Sequence, residues 1–291
     1  MLQKLFPSLL LVCFAVSAFA EPVPVLVSIA PQKWLAEQVG GSQVSVRALL
    51  DKGQDPHGIQ PTPEQVTALF RSKIYFSVGL EFERELLAKV RQSADGVRVA
   101  DVSAGIKKIS MTGHDDEDGH SHDHSGLDPH IWLAPQNLQQ MAANMAAALK
   151  ETDPANAAVY EKNLQAVTAA LAALDAELKT ELAPFKGQAF LVYHPAFGYF
   201  AHAYDLRQEA VEIEGKSPSP KQLYDLISKA KQTKARVVFV QPQFDRKNGE
   251  TVAKAIGGSV AVLDPMAANV PENLRLMAKA ISAALGGKEK E

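Results

Sequence analysis

Three histidines share a local setting that suits metal ligation. Each has a proline beside it and lies at or near the end of a predicted strand: His57 in Asp55-Pro56-His57, His130 in Asp128-Pro129-His130 and His194 in Tyr193-His194-Pro195. Proline restricts the neighbouring backbone, so these imidazoles are predicted to be held in place. Imidazole nitrogen is a ligand of zinc and of other transition metals. The pattern therefore indicates a metal site assembled from distant parts of the chain.

A second group of histidines lies in a different kind of segment. The stretch from His114 to His124 holds four histidines and five acidic residues without an apolar side chain. Such a stretch cannot bury itself, so it is predicted to be a solvated loop. We interpret it as an accessory metal-attracting loop, separate from the fixed His130. Its histidines are His114, His120, His122 and His124.

Length and composition limit the classes of function. The 291 residues are enough for two ordinary domains. A net charge of −3 gives no nucleic-acid footprint, so no nucleic-acid partner is predicted. The only cysteine is Cys13, so a metal site elsewhere must use histidines and carboxylates.

Residues 1–20 carry the pattern of a secretory signal peptide. Lys4 precedes an apolar run, and Ala18-Phe19-Ala20 forms a small-residue cleavage site. Cleavage after Ala20 predicts a periplasmic protein. A lipid anchor on Cys13 is the less favoured alternative, because Val12 is bulkier than the residue usual before a modified cysteine.

Strand and helix patterns alternate in both halves of the chain. Short β-branched runs predict the strands, and Thr62, ahead of Pro63, and Ser219, ahead of Pro220, are typical helix caps. This alternation predicts an α/β fold with two lobes, each a mainly parallel four-stranded sheet covered by helices. The predicted strands are 24–29, 44–50, 74–78 and 97–102 in the first half, and 188–193, 209–213, 237–240 and 260–263 in the second.

One long helical pattern, 153 to about 182, separates the halves. No proline or glycine interrupts it after Ala155, so we expect a rigid brace between the lobes. Its apolar stripe is Val159, Leu164, Val167, Leu171, Leu174 and Leu178. The resulting domain boundaries are 21–152 for the first lobe with its loop at 114–124, 153–183 for the linking helix and 184–291 for the second lobe.

The fixed histidines fall where parallel sheets bind ligands, at the carboxyl ends of strands. Asp264, followed by Pro265, ends the last predicted strand in the same way. Ends from both lobes can face each other across a cleft. The predicted ligands are therefore His57, His130, His194 and Asp264, a set that suits Zn²⁺ and is acceptable to Mn²⁺. An aspartate before proline is also a common turn former, so Asp264 has that alternative.

Other polar and aromatic side chains are assigned more ordinary roles. His202 is predicted to be a surface or supporting residue, and Trp34 and Trp132 to pack in the core or the cleft wall. Asp55 and Asp128, two residues before a histidine, either orient that imidazole or cap a turn. The acidic residues Glu209, Glu212 and Glu214 could bind metal, but a solvated run is favoured.

The order of these motifs resembles the metal-binding solute receptors of ATP-driven importers, the zinc and manganese class of periplasmic binding proteins. The resemblance covers nearly the whole chain after the signal peptide. It is carried by Asp55-Pro56-His57 with Pro61-Thr62-Pro63, Asp128-Pro129-His130-Ile131-Trp132-Leu133, His194-Pro195-Ala196-Phe197-Gly198-Tyr199-Phe200 and Asp264-Pro265, and by the long helix between the halves.

The resemblance implies a function and a metal. Members of that class bind one metal between two lobes and hand it to a membrane permease. In the class, a histidine at the third ligand position goes with zinc and a glutamate with manganese, so His194 implies zinc. Zinc members also typically carry an acidic, histidine-rich loop. The expected partner is an ABC permease, with a periplasmic metallochaperone as a further candidate, and we expect a monomer.

Two functions outside that class are also compatible with the sequence. An exported zinc hydrolase would need an open coordination position and a general base, but the chain has no H-E-x-x-H motif, so no enzyme is predicted. A surface adhesin, or a periplasmic zinc store that uses mainly the histidine-rich loop, is the other reading.

Overall fold

The computed structural model describes residues 21–287, apart from 52, 58, 94–95, 112–125, 213–218 and 233–234. The predicted signal peptide and the histidine-rich loop lie outside the described residues. The first half contains β1 (Val23–Val27), α1 (Ala30–Gly40), β2 (Val44–Ala48), α2 (Pro63–Arg71), β3 (Ile74–Ser77), α3 (Glu83–Gln92), β4 (Arg98–Asp101) and α4 (Pro135–Thr152). Next come α5 (Ala157–Leu182), β5 (Ala189–Val192), α6 (Gly198–Ala203), β6 (Arg207–Ala210), α7 (Pro220–Gln232), β7 (Val237–Val240), α8 (Arg246–Ala255), β8 (Ser259–Val262) and α9 (Val270–Gly286).

The eight strands form two parallel four-stranded sheets with the same order. The first sheet runs β2-β1-β3-β4 and the second β6-β5-β7-β8. In each sheet the second strand lies on one side of the first strand, and the third strand lies on its other side. Where the strand order reverses in this way, open α/β sheets have a crevice at the carboxyl edge that binds ligands. The predicted fold class, two α/β lobes with a long helix between them, is confirmed.

Local sequence explains the start of several helices. Thr62 Oγ1 accepts a hydrogen bond from Gln65 N at 3.3 Å, and Gln65 Oε1 accepts one from Thr62 N at 2.8 Å. This reciprocal cap, with Pro63 in the first turn, begins α2 as predicted. Ser219 caps α7 in a similar way, since its Oγ accepts from Gln222 N at 3.4 Å.

The long helix begins later than the sequence predicts. A separate 3-10 turn, Pro154–Asn156, follows α4, and α5 then starts at Ala157. The reason is local: Asp153, held away from helical angles by the following proline, has φ −136° and ψ 72°. At 26 residues, α5 is about 39 Å long.

The apolar stripe of α5 also differs at its first member. Val159 is exposed, and the neighbouring Tyr160 is buried in its place, where its hydroxyl donates to Asp153 Oδ2 at 2.6 Å. From Val167 onward the predicted stripe is buried. It packs against α1 and α4 of the first lobe and α9 of the second, so α5 belongs to the cores of both lobes.

The predicted position of the edge strand β6 was wrong. The strand is Arg207–Ala210, which begins two residues and ends three residues earlier than predicted, because its register is set by pairing of Arg207 with Ala189 of β5. Three of its four residues are polar and none is β-branched, so the strand pattern is weak at this edge. Among the described residues, no helix combines the length and the apolar character needed to cross a membrane.

We expect Leu171→Ala to destabilise the whole molecule. Leu171 is 1% exposed in the α5 interface, so removing its side chain should lower the free energy of unfolding by about 2–5 kcal/mol. Urea denaturation of chelator-treated protein measures this change. Leu276→Ala on the exposed face of α9 is the matched control and should stay within about 0.5 kcal/mol of the parent. Equal losses in both variants would contradict the role given to α5.

Candidate metal centre

Three imidazoles from distant parts of the chain converge in the structure. The ring centroids of His57 and His194 are 4.7 Å apart, those of His130 and His194 5.5 Å and those of His57 and His130 5.6 Å. One nitrogen of each ring lies within 4.8 Å of the corresponding nitrogens of the other two. Among the described residues, His57, His130 and His194 form the group whose potential ligand atoms lie close enough together to hold one metal ion.

Each histidine is supplied by a different element. His57 lies in the loop after β2, His130 immediately precedes the 3-10 turn Ile131–Leu133, and His194 lies two residues beyond β5. His57 and His194 thus come from the carboxyl ends of strands in the two sheets, whereas the predicted place of His130 near a strand end was wrong, because β4 ends at Asp101 and a long connection separates it from His130. His130 and His194 are buried, and His57 is partly buried.

Carboxylates fix the orientation of two of the three rings. His130 Nδ1 donates to Asp128 Oδ1 at 2.7 Å, and His194 Nδ1 donates to Glu212 Oε2 at 2.6 Å. Because an ionised carboxylate only accepts, each Nδ1 carries the proton and each Nε2 keeps a lone pair. This arrangement is the one that metal-binding histidines commonly have.

The remaining nitrogens match the needs of a metal ligand. Nε2 of His57 and Nε2 of His194 are buried and have no hydrogen-bond partner. A buried polar atom without a partner is costly, and a cation at the centre of the group would satisfy both. The donor set and its orphaned atoms therefore fit a bound metal.

The two aspartates of the Asp-Pro-His motifs differ in the hydrogen bonds that they accept. Asp128 Oδ1 accepts from both the backbone N and the ring Nδ1 of His130, so it caps the turn and orients the imidazole. Among the described residues, Asp55 Oδ1 accepts from the backbone N of His57 at 2.9 Å, which is the turn role. Asp128 therefore fills both roles considered for these aspartates, and Asp55 fills the turn role.

Asp264 is not part of the group formed by the three histidines. Its Oδ1 accepts from Met266 N at 2.9 Å and from Gln243 Nε2 at 3.2 Å, which is the turn role expected beside Pro265. Its assignment as the fourth ligand stays a prediction.

The interpretation of Glu212 as part of a solvated run was wrong. Glu212 is buried, and its carboxylate holds His194. Glu209 is partly buried on β6, and Glu214 lies outside the described residues. Gln241 is a site residue that the sequence did not suggest: its Oε1 accepts from His194 N at 3.2 Å and its Nε2 donates to His194 O at 2.7 Å.

The aromatic residues have the packing roles predicted for them. Trp132 is fully buried with its ring edge-on to His130, and its Nε1 donates to Pro265 O at 2.7 Å. Trp34 is partly buried against the core, and Phe244 stacks on His194 with centroids 5.0 Å apart. His202 is exposed on α6, so it lies on the surface.

Crowding of the three rings makes a charge on His57 unfavourable. Burial, reinforced by repulsion from His130 and His194, lowers the pKa of His57 to about 3. Its folded pKa therefore lies below the ordinary value of about 6.5 in the unfolded chain. The contribution of His57 to the stability of metal-free protein therefore falls as the pH drops below about 6.5, because the unfolded state then binds a proton at this residue that the folded state does not.

We expect His57→Gln to reduce the acid sensitivity of chelator-treated protein. At pH 5 the lowered pKa of His57 disfavours folding by about 2 kcal/mol, so the fall in unfolding free energy between pH 7.5 and pH 5 should shrink by about that amount. Urea denaturation at the two pH values measures it. His202→Gln at an exposed position should leave the fall unchanged, and an unchanged fall in His57→Gln would refute the effect.

The chain is similar in sequence to known metal-binding proteins. Residues 25–285 match the family described as zinc-uptake complex component A, periplasmic (ZnuA). The metal ABC transporter substrate-binding lipoprotein ScbA of Streptococcus cristatus is 30% identical over 76% of this chain and 72% of its own length. The manganese ABC transporter substrate-binding lipoprotein PsaA of Streptococcus pneumoniae is 29% identical over the same shares.

A solved structure agrees with these matches. A crystal structure of a ZnuA deletion mutant with zinc bound superposes with a TM-score of 0.84 at 36% identity, covering 92% of this chain and 100% of the other. The relatives are substrate-binding proteins and not enzymes, which confirms the prediction that the chain is not an enzyme. With the match spanning both sheets and all three histidines, the chain belongs to the ZnuA family of metal ABC transporter substrate-binding proteins.

Proposed function

We propose that the protein is a high-affinity zinc receptor, which captures Zn²⁺ between its two lobes and delivers it to an ABC permease. The observation that carries the proposal is the convergence of three imidazoles, two of them with Nδ1 held by a buried carboxylate. Zinc accepts such nitrogen donors in tetrahedral sites, whereas manganese prefers sites rich in carboxylate and water oxygen. Relatives named for zinc and for manganese both exist, and the all-imidazole donor set is what supports zinc in this proposal.

The cargo would bind to His57, His130 and His194 through their Nε2 atoms, with Asp264 or water completing the coordination. The two buried carboxylates behind the rings, Asp128 and Glu212, supply negative charge close to the ion. Their combined charge matches that of one divalent cation, which favours holding Zn²⁺ in a site of low dielectric constant.

The other proposed properties follow from the signal peptide and the family. Cleavage after Ala20 would release the protein into the periplasm, where it would work as a monomer with the permease. A metallochaperone could load it there. Manganese is the alternative cargo, supported by the similarity to PsaA.

We expect His130→Ala to abolish tight zinc binding. His130 is 2% exposed and its ring is held by Asp128, so its loss removes one of three donors from a closed site. Calorimetric titration at pH 7.5 should show one tight zinc site in the parent and none in the variant, with manganese binding weakly to the parent. His202→Ala should retain the parent affinity. Tight zinc binding by His130→Ala, or manganese binding as tight as zinc, would refute the proposal.

Deleting residues 114–124 should leave the tight zinc site nearly intact. The described residues on either side already meet, because Met111 N donates to Gly126 O at 2.9 Å and Asp128 N donates to Ile109 O at 2.9 Å. A short linker across this stem should therefore preserve Asp128 and His130. Zinc titration of the deletion variant should show fewer weak sites and the same tight site. Loss of the tight site would mean that the histidine-rich stretch is the receptor site itself.

A further inference from the structure

We propose that Glu212 is a positioning residue, which holds the His194 imidazole so that its Nε2 lone pair faces the metal. The proposal rests on the zinc site proposed above. It adds to that site a residue on the Nδ1 side of the His194 ring, opposite the Nε2 atom that would bind the metal. Glu212 does not need to contact the metal for this role. Its carboxylate lies behind the ring, on Nδ1, at 2.6 Å.

The second sheet places three side chains around His194. His194, Glu212 and Gln241 follow β5, β6 and β7, which are adjacent in the order β6-β5-β7. Backbone pairing continues beyond the strands, since Glu212 N donates to Tyr193 O at 2.9 Å and Tyr193 N donates to Phe239 O at 2.7 Å. The positions of the three residues are therefore set by the sheet and not by a free loop.

Gln241 and Glu212 restrain different parts of His194. Gln241 bonds to both the backbone N and the backbone O of His194, so it fixes the main chain. These two backbone hydrogen bonds do not restrain the side-chain torsions of His194. The hydrogen bond from Nδ1 to Glu212 removes that freedom and selects the tautomer with a proton on Nδ1.

Burial makes the contact with His194 specific. Glu212 is 8% exposed, and its carboxylate accepts a hydrogen bond from His194 Nδ1. A buried carboxylate needs such a donor, and in return it raises the basicity of the ring as a ligand. The matching arrangement on the first lobe, Asp128 behind His130, is buried in the same way.

The two lobes thus use equivalent contacts built by different routes. Asp128 is two residues before its histidine, so a single turn makes the contact. Glu212 is 18 residues after His194, so the contact requires the pairing of β5 with β6. This non-local origin explains why the sequence alone did not single out Glu212.

The test compares Glu212→Ala and Glu212→Gln with Glu250→Ala, which removes a carboxylate exposed on α8. Zinc affinity is measured by competition with a chromophoric chelator. We expect Glu212→Ala to lose about 10- to 100-fold in affinity, as for other carboxylates that hold metal-binding histidines. Glu212→Gln should lose less, because its amide oxygen can still accept from Nδ1–H. Glu250→Ala should match the parent.

Two further measurements separate positioning from ligation and from a general loss of structure. Nitrogen-15 NMR of metal-free protein should show His194 protonated on Nδ1 in the parent and in Glu212→Gln, and a shift toward the Nε2–H tautomer in Glu212→Ala. The visible spectrum of Co²⁺-loaded Glu212→Gln should keep the coordination number of the parent. A changed coordination number would make Glu212 a ligand and overturn the proposal.

The remaining outcomes are also decisive. Equal zinc affinity of the parent and Glu212→Ala would overturn the positioning role and leave the zinc receptor standing. A parent without tight zinc binding would overturn the receptor, while the tautomer of His194 in metal-free protein would still test the role of Glu212. If Glu212→Ala does not fold, the tautomer in the parent and the affinity of Glu212→Gln decide the question.

Discussion

The whole site depends on holding three imidazole rings close together with their lone pairs facing inward. Such a group is unfavourable by itself, because in the described part of the chain the buried Nε2 atoms of His57 and His194 have no hydrogen-bond partner, and burial with repulsion from His130 and His194 disfavours a charge on His57. The rest of the fold has to supply the order that keeps them there. A divalent cation bound at the proposed site would remove these unfavourable features at once, which gives the proposed capture its physical basis.

That order comes from both lobes and from contacts between them. Trp132, next to His130 in the turn, donates across to Pro265 of the second lobe, and the hydroxyl of Tyr199 donates to Asp128 O at 3.1 Å. Ile109 N also donates to Tyr199 Oη, at 3.3 Å. These bonds join the lobes beside the site, while α5 joins them through the core. A continuous helix bends little without a proline or glycine, so wide hinge opening is disfavoured and local changes remain the route for metal entry.

Sequence reasoning reached the features that depend on local pattern. The three fixed histidines, the Asp-Pro-His turns and the alternation of strands and helices follow from neighbouring residues, and the structure brings the histidines together. The start of α5 was missed because Asp153-Pro154 favours a turn over the helix that the composition suggests. Glu212 and Gln241 were missed for another reason. Their contacts with His194 exist only once β6 and β7 lie on either side of β5, and no spacing along the chain shows that order.

The three proposed ligands are not held equally, and this inequality bears on how a metal would enter. His130 and His194 each have a carboxylate on Nδ1, and His194 has Gln241 on its backbone as well. In the part of the chain that the structure describes, His57 is held by the turn bond to Asp55, lies in a loop between β2 and α2, and is the most exposed of the three. The imidazoles of His130 and His194, one on each lobe, are thus the more firmly held pair of the proposed site. Of the three proposed ligands, His57 is the one whose displacement would disturb the fold least, because it lies on a loop and no strand or helix would have to move with it.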